Sequence, residues 1–290
     1  MVPLRVFTSF SLRGFLKQAG LSSLLLFRYH LHMPLLCAPL KDAIHPCGYF
    51  DDVPARTEHF FLKGYTRNDL DALLERGYRH FGKYFFRPRC GSCIRCVPLR
   101  VRIDEFRFSR NTRRVLNRAA GFRIEEGTPD PSGTAYELYL RHLKRFGGDE
   151  PSGFDRFTEA FFDPLEGARQ LSVYHEDRLV AVSHFDRGER ALSAVYTYYD
   201  DSYTRVSLGK LVIYELLRRG IEEGIPHLYL GYYIEENRHM VYKGGYKPNE
   251  VLLSEGSWHT LYDAQGKRRI SREDLGFVPG ERFIRAEETE

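Results

Sequence analysis

Val97, Leu99, Val101 and Ile103 are apolar and alternate with Arg100 and Arg102. A period of two predicts a strand with one apolar face and one arginine face. Upstream, Thr66-Arg-Asn-Asp69 is a variant capping box that predicts a helix running to about His80. Ser109 predicts the cap of a short basic helix that stops near Gly121, with Arg110, Arg113, Arg114 and Arg118 clustered on one side. From Phe122 the texture changes. A strand is expected over 122–126, turn residues over 128–133, and helices over 136–145 and 154–162 with breakers between them. Three strand-like runs, 170–175, 178–185 and 191–198, have short polar connections that predict hairpins. An amphipathic helix over 207–223 carries Leu208, Leu211, Val212 and Leu216 and is closed by Gly224. A strand over 227–231, a short helix over 235–242 and a strand over 250–253 complete the pattern.

From Phe122 onward the order is β-α-α-β-β-β-α-β-α-β. It matches the core of GNAT acyltransferases, a mixed sheet flanked by helices. The expected fold class is therefore α+β or α/β, with a GNAT-like acyltransferase domain over 121–258. A smaller, cysteine-bearing basic domain is expected over 35–120, an N-terminal extension over 1–34 and a tail over 259–290. A chain of 290 residues is long enough for this division. The extension has no acid before Asp42 but carries Arg5, Arg13, Lys17 and Arg28. It reads as a targeting segment or as sequence ahead of a start at Met33. Its apolar run, 21–27, is too short to span a bilayer.

Net charge is only +4, but its distribution is uneven. Residues 76–123 hold thirteen arginines and one lysine against Asp104 and Glu105. That segment is +12 and the remainder about −8. Such asymmetry points to a phosphate-rich partner, the plain alternative being a solvated basic face.

Cys90, Cys93 and Cys96 form a C-x2-C-x2-C run inside this basic stretch, and Cys47 stands apart in HPCGYF. Four thiols can close a tetrahedral shell around zinc or hold an iron–sulfur cluster. Free or reversibly oxidised thiols and simple packing are the other readings. Cys37, on an apolar stretch, is read as packing. Five cysteines in a chain this large do not suggest a disulfide framework, and a reducing compartment fits better.

Other candidate chemistry is spread along the second half. RVSLG, 205–209, opens the amphipathic helix, so Arg205, Ser207, Leu208 and Gly209 can meet an anion at a helix N-terminus; an ordinary serine cap at Ser207 is the alternative. Tyr196, Tyr198, Tyr199, Tyr229, Tyr232 and Tyr233 can stack on a terminal base or fill the core. Tyr242 and Lys243, followed by Gly244 and Gly245, can position a carbonyl or phosphate. His184, two residues before Asp186, is a candidate general base or a satisfied structural histidine.

Several segments together resemble the aminoacyl-tRNA–protein transferases of the N-end rule, in particular the bacterial leucyltransferase branch. They are HPCGYF, ERGYRHFGKYFFRPRCGSCIRCVPLRV, SRNTRRVLNR, LVAVSHFD, LSAVYTYYD, RVSLG, LYLGYYI and MVYKGGYKPNE, colinear over about residues 45–255. The resemblance implies transfer of leucine from leucyl-tRNA to the N-terminal amine of proteins that begin with Asp or Glu, marking them for degradation. It implies a cytoplasmic enzyme with no stable membrane association and no cofactor required for transfer. Cys47 and Cys90 match cysteines that the related arginyl branch uses in iron–sulfur binding, although Phe50 breaks the first pair here.

Because the donor ester is already activated, the reaction is aminolysis and needs no covalent enzyme intermediate. His184, Tyr196 and Tyr242 are the candidate proton acceptors. Arg89, Arg95, Arg100, Arg205, Ser207, Leu208, Gly209 and Lys243 are the candidate substrate-binding residues. Cys47, Cys90, Cys93 and Cys96 are the candidate metal ligands. An arginyl-tRNA–protein transferase, a coenzyme A-dependent N-acyltransferase and a non-catalytic metal-dependent RNA-binding module are the alternatives.

Overall fold

The computed structural model describes residues 39–51, 53–144, 153–162 and 165–276. The extension over 1–34, Cys37 and the end of the tail lie outside the described residues. The first part holds β1 (Leu40–Lys41), β2 (His45–Pro46), β3 (Pro54–Ala55), β4 (Thr57–Phe61), α1 (Arg67–Glu75), β5 (Arg79–Phe81), β6 (Tyr84–Pro88), β7 (Val97–Arg102) and α2 (Arg110–Arg118). Next come β8 (Phe122–Gly127), α3 (Gly133–Lys144), α4 (Phe154–Phe161), β9 (Ala168–His175), β10 (Arg178–Arg187) and β11 (Ala191–Tyr199). The chain continues with α5 (Leu208–Glu222), β12 (His227–Tyr233), β13 (Asn249–Leu252) and β14 (Trp258–Tyr262).

Eight strands form one mixed sheet in the order β14-β13-β7-β12-β11-β10-β9-β8. β8 to β11 run as an antiparallel meander, as the short polar connections require. β11 and β12 are parallel neighbours, and α5 is the crossover between them. Adjacent residues point to opposite faces, so each strand feeds two cores. Ala181 packs with Leu208, Leu211 and Val212 of α5, whereas Val182 packs with Leu138 of α3 and Phe157 of α4. Leu228 joins Leu216 and Leu217, whereas Tyr229 faces α1 and the small sheet. Fully buried leucines such as Leu228 and Leu216 each contribute about 1.5–3 kcal/mol.

The small sheet has the order β1-β4-β6-β5. Phe60, Leu70, Leu74, Tyr78 and Phe85 fill the space between this sheet, α1 and the large sheet. β7 comes from the cysteine-bearing stretch, yet it is hydrogen bonded between β12 and β13 in the large sheet. α2 likewise packs on α5. The part of the chain before residue 120 therefore supplies both the small sheet and a central strand of the large one.

Several elements differ from the sequence pattern. The Thr66–Asp69 capping box is present, but α1 ends at Glu75 rather than near His80. Gly77 adopts a left-handed φ of 81°, and a Cβ there would press on Pro98 and Leu252, so the helix stops where it meets the large sheet. Arg79 to Phe81 then pair with β6 as a strand. The helix expected over 235–242 is replaced by turns and a short 3-10 segment, Val241–Gly245. Asn237 Oδ1 accepts from His239 N at 2.9 Å, a local bond that competes with helix formation.

Candidate active site

The parallel seam opens into a fork. β11 and β12 pair at Ala191 with His227, Leu192 with Leu228, and Ser193 with Tyr229. β11 then runs on to Tyr199 and β12 to Tyr233 without further pairing between them. Irregularities flank the divergence, at His184/Phe185 against β11 and at Tyr229/Gly231 against β7. Bulges of this kind bend strands and re-aim side chains. Gly231 takes a φ of 80°, which a residue with a Cβ adopts only under strain.

Two cations reach into the fork. Arg79, from β5, donates through Nη1 to Ser193 Oγ at 3.0 Å and through Nη2 to the carbonyl of Ala194. Lys243, from the 3-10 turn, donates through Nζ to the carbonyl of Tyr232 at 2.7 Å. Arg79 thus holds the β11 limb and Lys243 the β12 limb. Burial, reinforced by the neighbouring Arg79 guanidinium, pushes Lys243 down to about 7. Burial also lowers Arg79, against the opposing pull of Asp186. Lys243 was legible in the sequence and Arg79 was not, because the helix expected to run on through it hid its strand.

The N-terminus of α5 lies beside the fork. Ser207 has a left-handed backbone, φ 60° and ψ 56°, and makes no side-chain cap, so it is not the ordinary serine cap that was one of two readings. Helical bonding begins with Lys210 N and Leu211 N, both to Ser207 O. The N–H groups of Leu208 and Gly209 precede the helical ladder and stand at the positive end of the dipole. A Cβ on Gly209 would come within 3.2 Å of the Tyr199 ring, so glycine lets the helix start close to β11. Arg205 is exposed, and its carbonyl accepts from Arg118 Nη1 at 3.2 Å, which ties the end of α2 to this loop.

The three candidate proton acceptors sit in different surroundings. His184 is buried, with Nε2 3.2 Å from Tyr198 OH and its ring stacked on Phe161. Burial pushes it down to about 3, which makes it a weak base. The neighbour expected for it, Asp186, instead bonds His80 Nε2 at 2.9 Å. His184, Asp186, His80, Phe161, Leu165 and Arg169 line a small cleft. Tyr196 is half-buried against Phe161, and burial raises its hydroxyl well above the usual range. Tyr242 is 46% exposed. Of the remaining tyrosines, Tyr198, Tyr229, Tyr232 and Tyr233 are core residues rather than open stacking platforms.

Most of the arginine-rich stretch is engaged within the fold. Arg100 is buried, bonded to Glu250 at 2.8 Å, Glu75 at 2.6 Å and Tyr229 OH at 3.1 Å, and stacked over Trp258. Arg95 is buried, bonds the Gly276 carbonyl at 3.0 Å and lies over the Phe50 ring. Arg89 is half exposed, 3.8 Å from Glu58, the carboxylate that also holds Arg87 at 2.6 Å. Arg102 and Arg123 pair with Glu105 and Glu125. α2 differs. Arg110, Arg113, Arg114 and Arg118 are exposed, and none is paired with a carboxylate among the described residues.

Cys47, Cys90, Cys93 and Cys96 come into one neighbourhood. Burial, followed by the charges of Cys47, Cys93 and Cys90, pushes the Cys96 thiol well up. Cys47 and Cys96 pack beside Phe50, Tyr232, Ile234 and Met240. The Cys47 sulfur accepts from Tyr49 N at 3.4 Å and the Cys90 sulfur from Arg56 N at 3.5 Å. No three His, Cys, Asp or Glu side chains among the described residues converge with metal-binding geometry.

These features define a mixed α/β protein whose large sheet opens at a parallel seam beside a helix N-terminus. Residues 45–114 match the family described as arginine-tRNA-protein transferase, N terminus, and residues 134–253 match the family's C terminus. The aspartate/glutamate leucyltransferase of Campylobacter jejuni serotype O:6 is 30% identical over 215 residues, covering 71% of this chain and 89% of that protein. That of Helicobacter hepaticus is 34% identical over 212 residues, covering 71% and 88%. That of Pseudomonas fluorescens is 32% identical over 223 residues, covering 75% and 94%. Among solved structures, FemX aligns with 58% of this chain and 60% of its own, at 12% identity and a TM-score of 0.40. The chain belongs to the arginine-tRNA-protein transferase family. Among the described residues, no helix is long and apolar enough to cross a membrane.

Proposed function

We propose that this protein transfers leucine from leucyl-tRNA to the N-terminal amine of proteins beginning with Asp or Glu, marking them for N-end rule degradation. The supporting observation is similarity to aspartate/glutamate leucyltransferases over about nine-tenths of their length. The large sheet is read as GNAT-like, because its parallel pair diverges beside the N-terminus of the crossover helix.

The geometry suits aminolysis of an activated ester. α2 offers four exposed arginines to the phosphates of the tRNA, and the Arg118–Arg205 contact leads from that helix to the start of α5. The N–H groups of Leu208 and Gly209 meet the terminal nucleotide or the oxyanion that forms as the amine attacks. The fork receives the acceptor N-terminus, so that amine and ester meet at the opened seam. Attack forms the new C–N bond, the tetrahedral oxyanion collapses with cleavage of the ester C–O bond, and the proton given up by the amine ends on the terminal ribose oxygen of the tRNA, which leaves as a hydroxyl. His184, pushed down by burial, is a weak acceptor for the proton that the amine gives up. Tyr196 and Tyr242 remain hydrogen-bonding candidates near it.

The experiment is a paired-donor transfer assay. Labelled leucyl-tRNA or arginyl-tRNA is incubated with the protein and with peptides beginning Asp, Glu or Ala. Leucine is expected on the Asp and Glu peptides only. No transfer to the acidic peptides would refute the reading, and preference for the arginyl donor would move the protein to the sister activity.

A further inference from the structure

The small sheet has two unlike faces. Its register sets Phe61 opposite Tyr84, Phe81 opposite Tyr84, and Arg79 opposite Phe86, so these side chains share one face. Phe60 and Phe85 point the other way, into the core against α1 and the large sheet. The outward face carries a row of rings. Centroid to centroid, Phe81 lies 5.8 Å from Phe86, Phe86 5.6 Å from Tyr84, and Tyr84 5.4 Å from Phe61. One end of the row stands at the fork. Arg79, two residues before Phe81 on β5, enters the fork, where a Cβ on Gly231 would lie 3.5 Å from its Nε and 3.6 Å from Lys243 Nζ. Phe81 itself meets Tyr196 of the β11 limb at 6.4 Å and Phe161 of α4 at 5.9 Å. The other end reaches solvent, with Phe61 42% exposed. Tyr84 and Phe86, between the two ends, are half-buried. An antiparallel sheet with one face in the core ordinarily turns polar side chains outward, so a row of rings there marks a surface built for contact.

We propose that this row is the track for the acceptor polypeptide beyond its N-terminal residue, which it holds in extended form through apolar side chains. This rests on the acceptor reading given above. The two substrates must reach one seam without colliding. α2 packs on α5, on the face of the large sheet to which Leu192 points. The small sheet covers the opposite face, to which Ala191 points. A tRNA held on the exposed arginines of α2 therefore comes from one face, and the acceptor chain has the other. At about 3.3 Å per residue, an extended chain covers the three ring-to-ring steps in about five residues. Rings accept apolar side chains of many shapes, which suits acceptors that share only their first residue. Single-stranded RNA also stacks on rings, but it needs cations along its backbone, and the exposed arginines of α2 lie on the far face.

The test uses acceptor peptides beginning Asp, of two, four and six residues, with either leucine or serine at the third and fifth positions. They are compared in the transfer assay at saturating leucyl-tRNA. For the wild type, kcat/KM is expected to rise about tenfold or more along the leucine series and less than about threefold along the serine series. Phe61→Ser and Tyr84→Ser are expected to remove most of the gain at six residues, Phe61→Leu to keep it, and the KM for leucyl-tRNA to stay within about twofold. Equal kcat/KM across both wild-type series overturns the proposal without any variant, so misfolding of a variant does not protect it. A folded Phe61→Ser protein that keeps the full gain overturns it as well. A raised leucyl-tRNA KM with the length gain intact assigns the rings to the single-stranded end of the tRNA instead. If no peptide accepts leucine, the transfer reading fails, and calorimetry of the same peptides without tRNA decides the track by itself. Length-dependent binding of the leucine series then leaves it standing, and length-independent binding overturns it.

Discussion

His80 and Asp186, separated by 106 residues, meet at 2.9 Å with both side chains buried. The other imidazole nitrogen lies 2.9 Å from the Gly82 carbonyl. The ring therefore ties the β5–β6 turn to β10 and fixes the small sheet on the large one, beside the fork that Arg79 enters.

Removing one half of this pair should cost much more than removing both. Asp186→Asn is expected to lower unfolding free energy by about 3–5 kcal/mol, because a buried group loses its partner. The double variant His80→Phe with Asp186→Leu should recover at least half of that loss. Urea unfolding of the four proteins in the cycle measures it, and a loss under about 1 kcal/mol for Asp186→Asn would show that the pair does not hold the sheets together.

The exposed arginines of α2 should carry the salt dependence of tRNA binding. Changing Arg110, Arg113 and Arg114 to Ala is expected to make the log–log salt slope shallower by about 2–3, with stability changed by less than about 1 kcal/mol. Arg87→Ala should do the reverse, since that side chain is bonded to Glu58 at 2.6 Å inside the fold. Filter binding of leucyl-tRNA across a salt series tests this. An unchanged slope in the triple variant would remove α2 from the tRNA surface.

Two glycines of α5 should separate function from stability. Gly209→Val places bulk against Tyr199 at the helix start, where a Cβ already comes to 3.2 Å, and is expected to cut kcat/KM by about tenfold or more. Gly220→Ala, further along the helix, places a Cβ 2.5 Å from the Ile103 side chain. It should cost about 1–3 kcal/mol of stability and leave kcat/KM nearly intact. Thermal unfolding and steady-state transfer on both proteins decide the matter, and similar profiles for the two would defeat the distinction.

His184 should contribute acid sensitivity. Its folded value is about 3 and its ordinary value 6.5, so the unfolded chain takes up a proton before the folded protein does. The stability associated with the neutral ring is fully present above 6.5 and declines as pH falls toward 3. The limiting slope is about 1.4 kcal/mol per pH unit. His184→Phe should flatten the fall between about pH 6 and about pH 4 relative to the wild type. Parallel curves for the two proteins in denaturant titrations would mean that the ring does not stay neutral.

By itself, the sequence determined the elements whose signals are local. The Thr66–Asp69 box, the Ser109 cap, the alternation of β7, the β9–β11 meander and the 3.6-residue period of α5 are all present, within a few residues of the expected bounds. It also determined the family, because colinear short segments accumulate specificity that none has alone. What the local signals missed was decided by contacts across the chain. α1 stops where Gly77 meets Pro98 and Leu252, and a three-residue strand is too short to show a period. Arg100 looks like a phosphate ligand until Glu75 and Glu250 are brought to it, whereas the arginines of α2 are not paired with a carboxylate among the described residues. Arg79 and Lys243 stand far apart in sequence, and only the divergence of β11 from β12 gives them one glycine to share. Charge along the chain is legible residue by residue; which charges are already answered is a property of the tertiary structure, because ion pairing depends on distance in space.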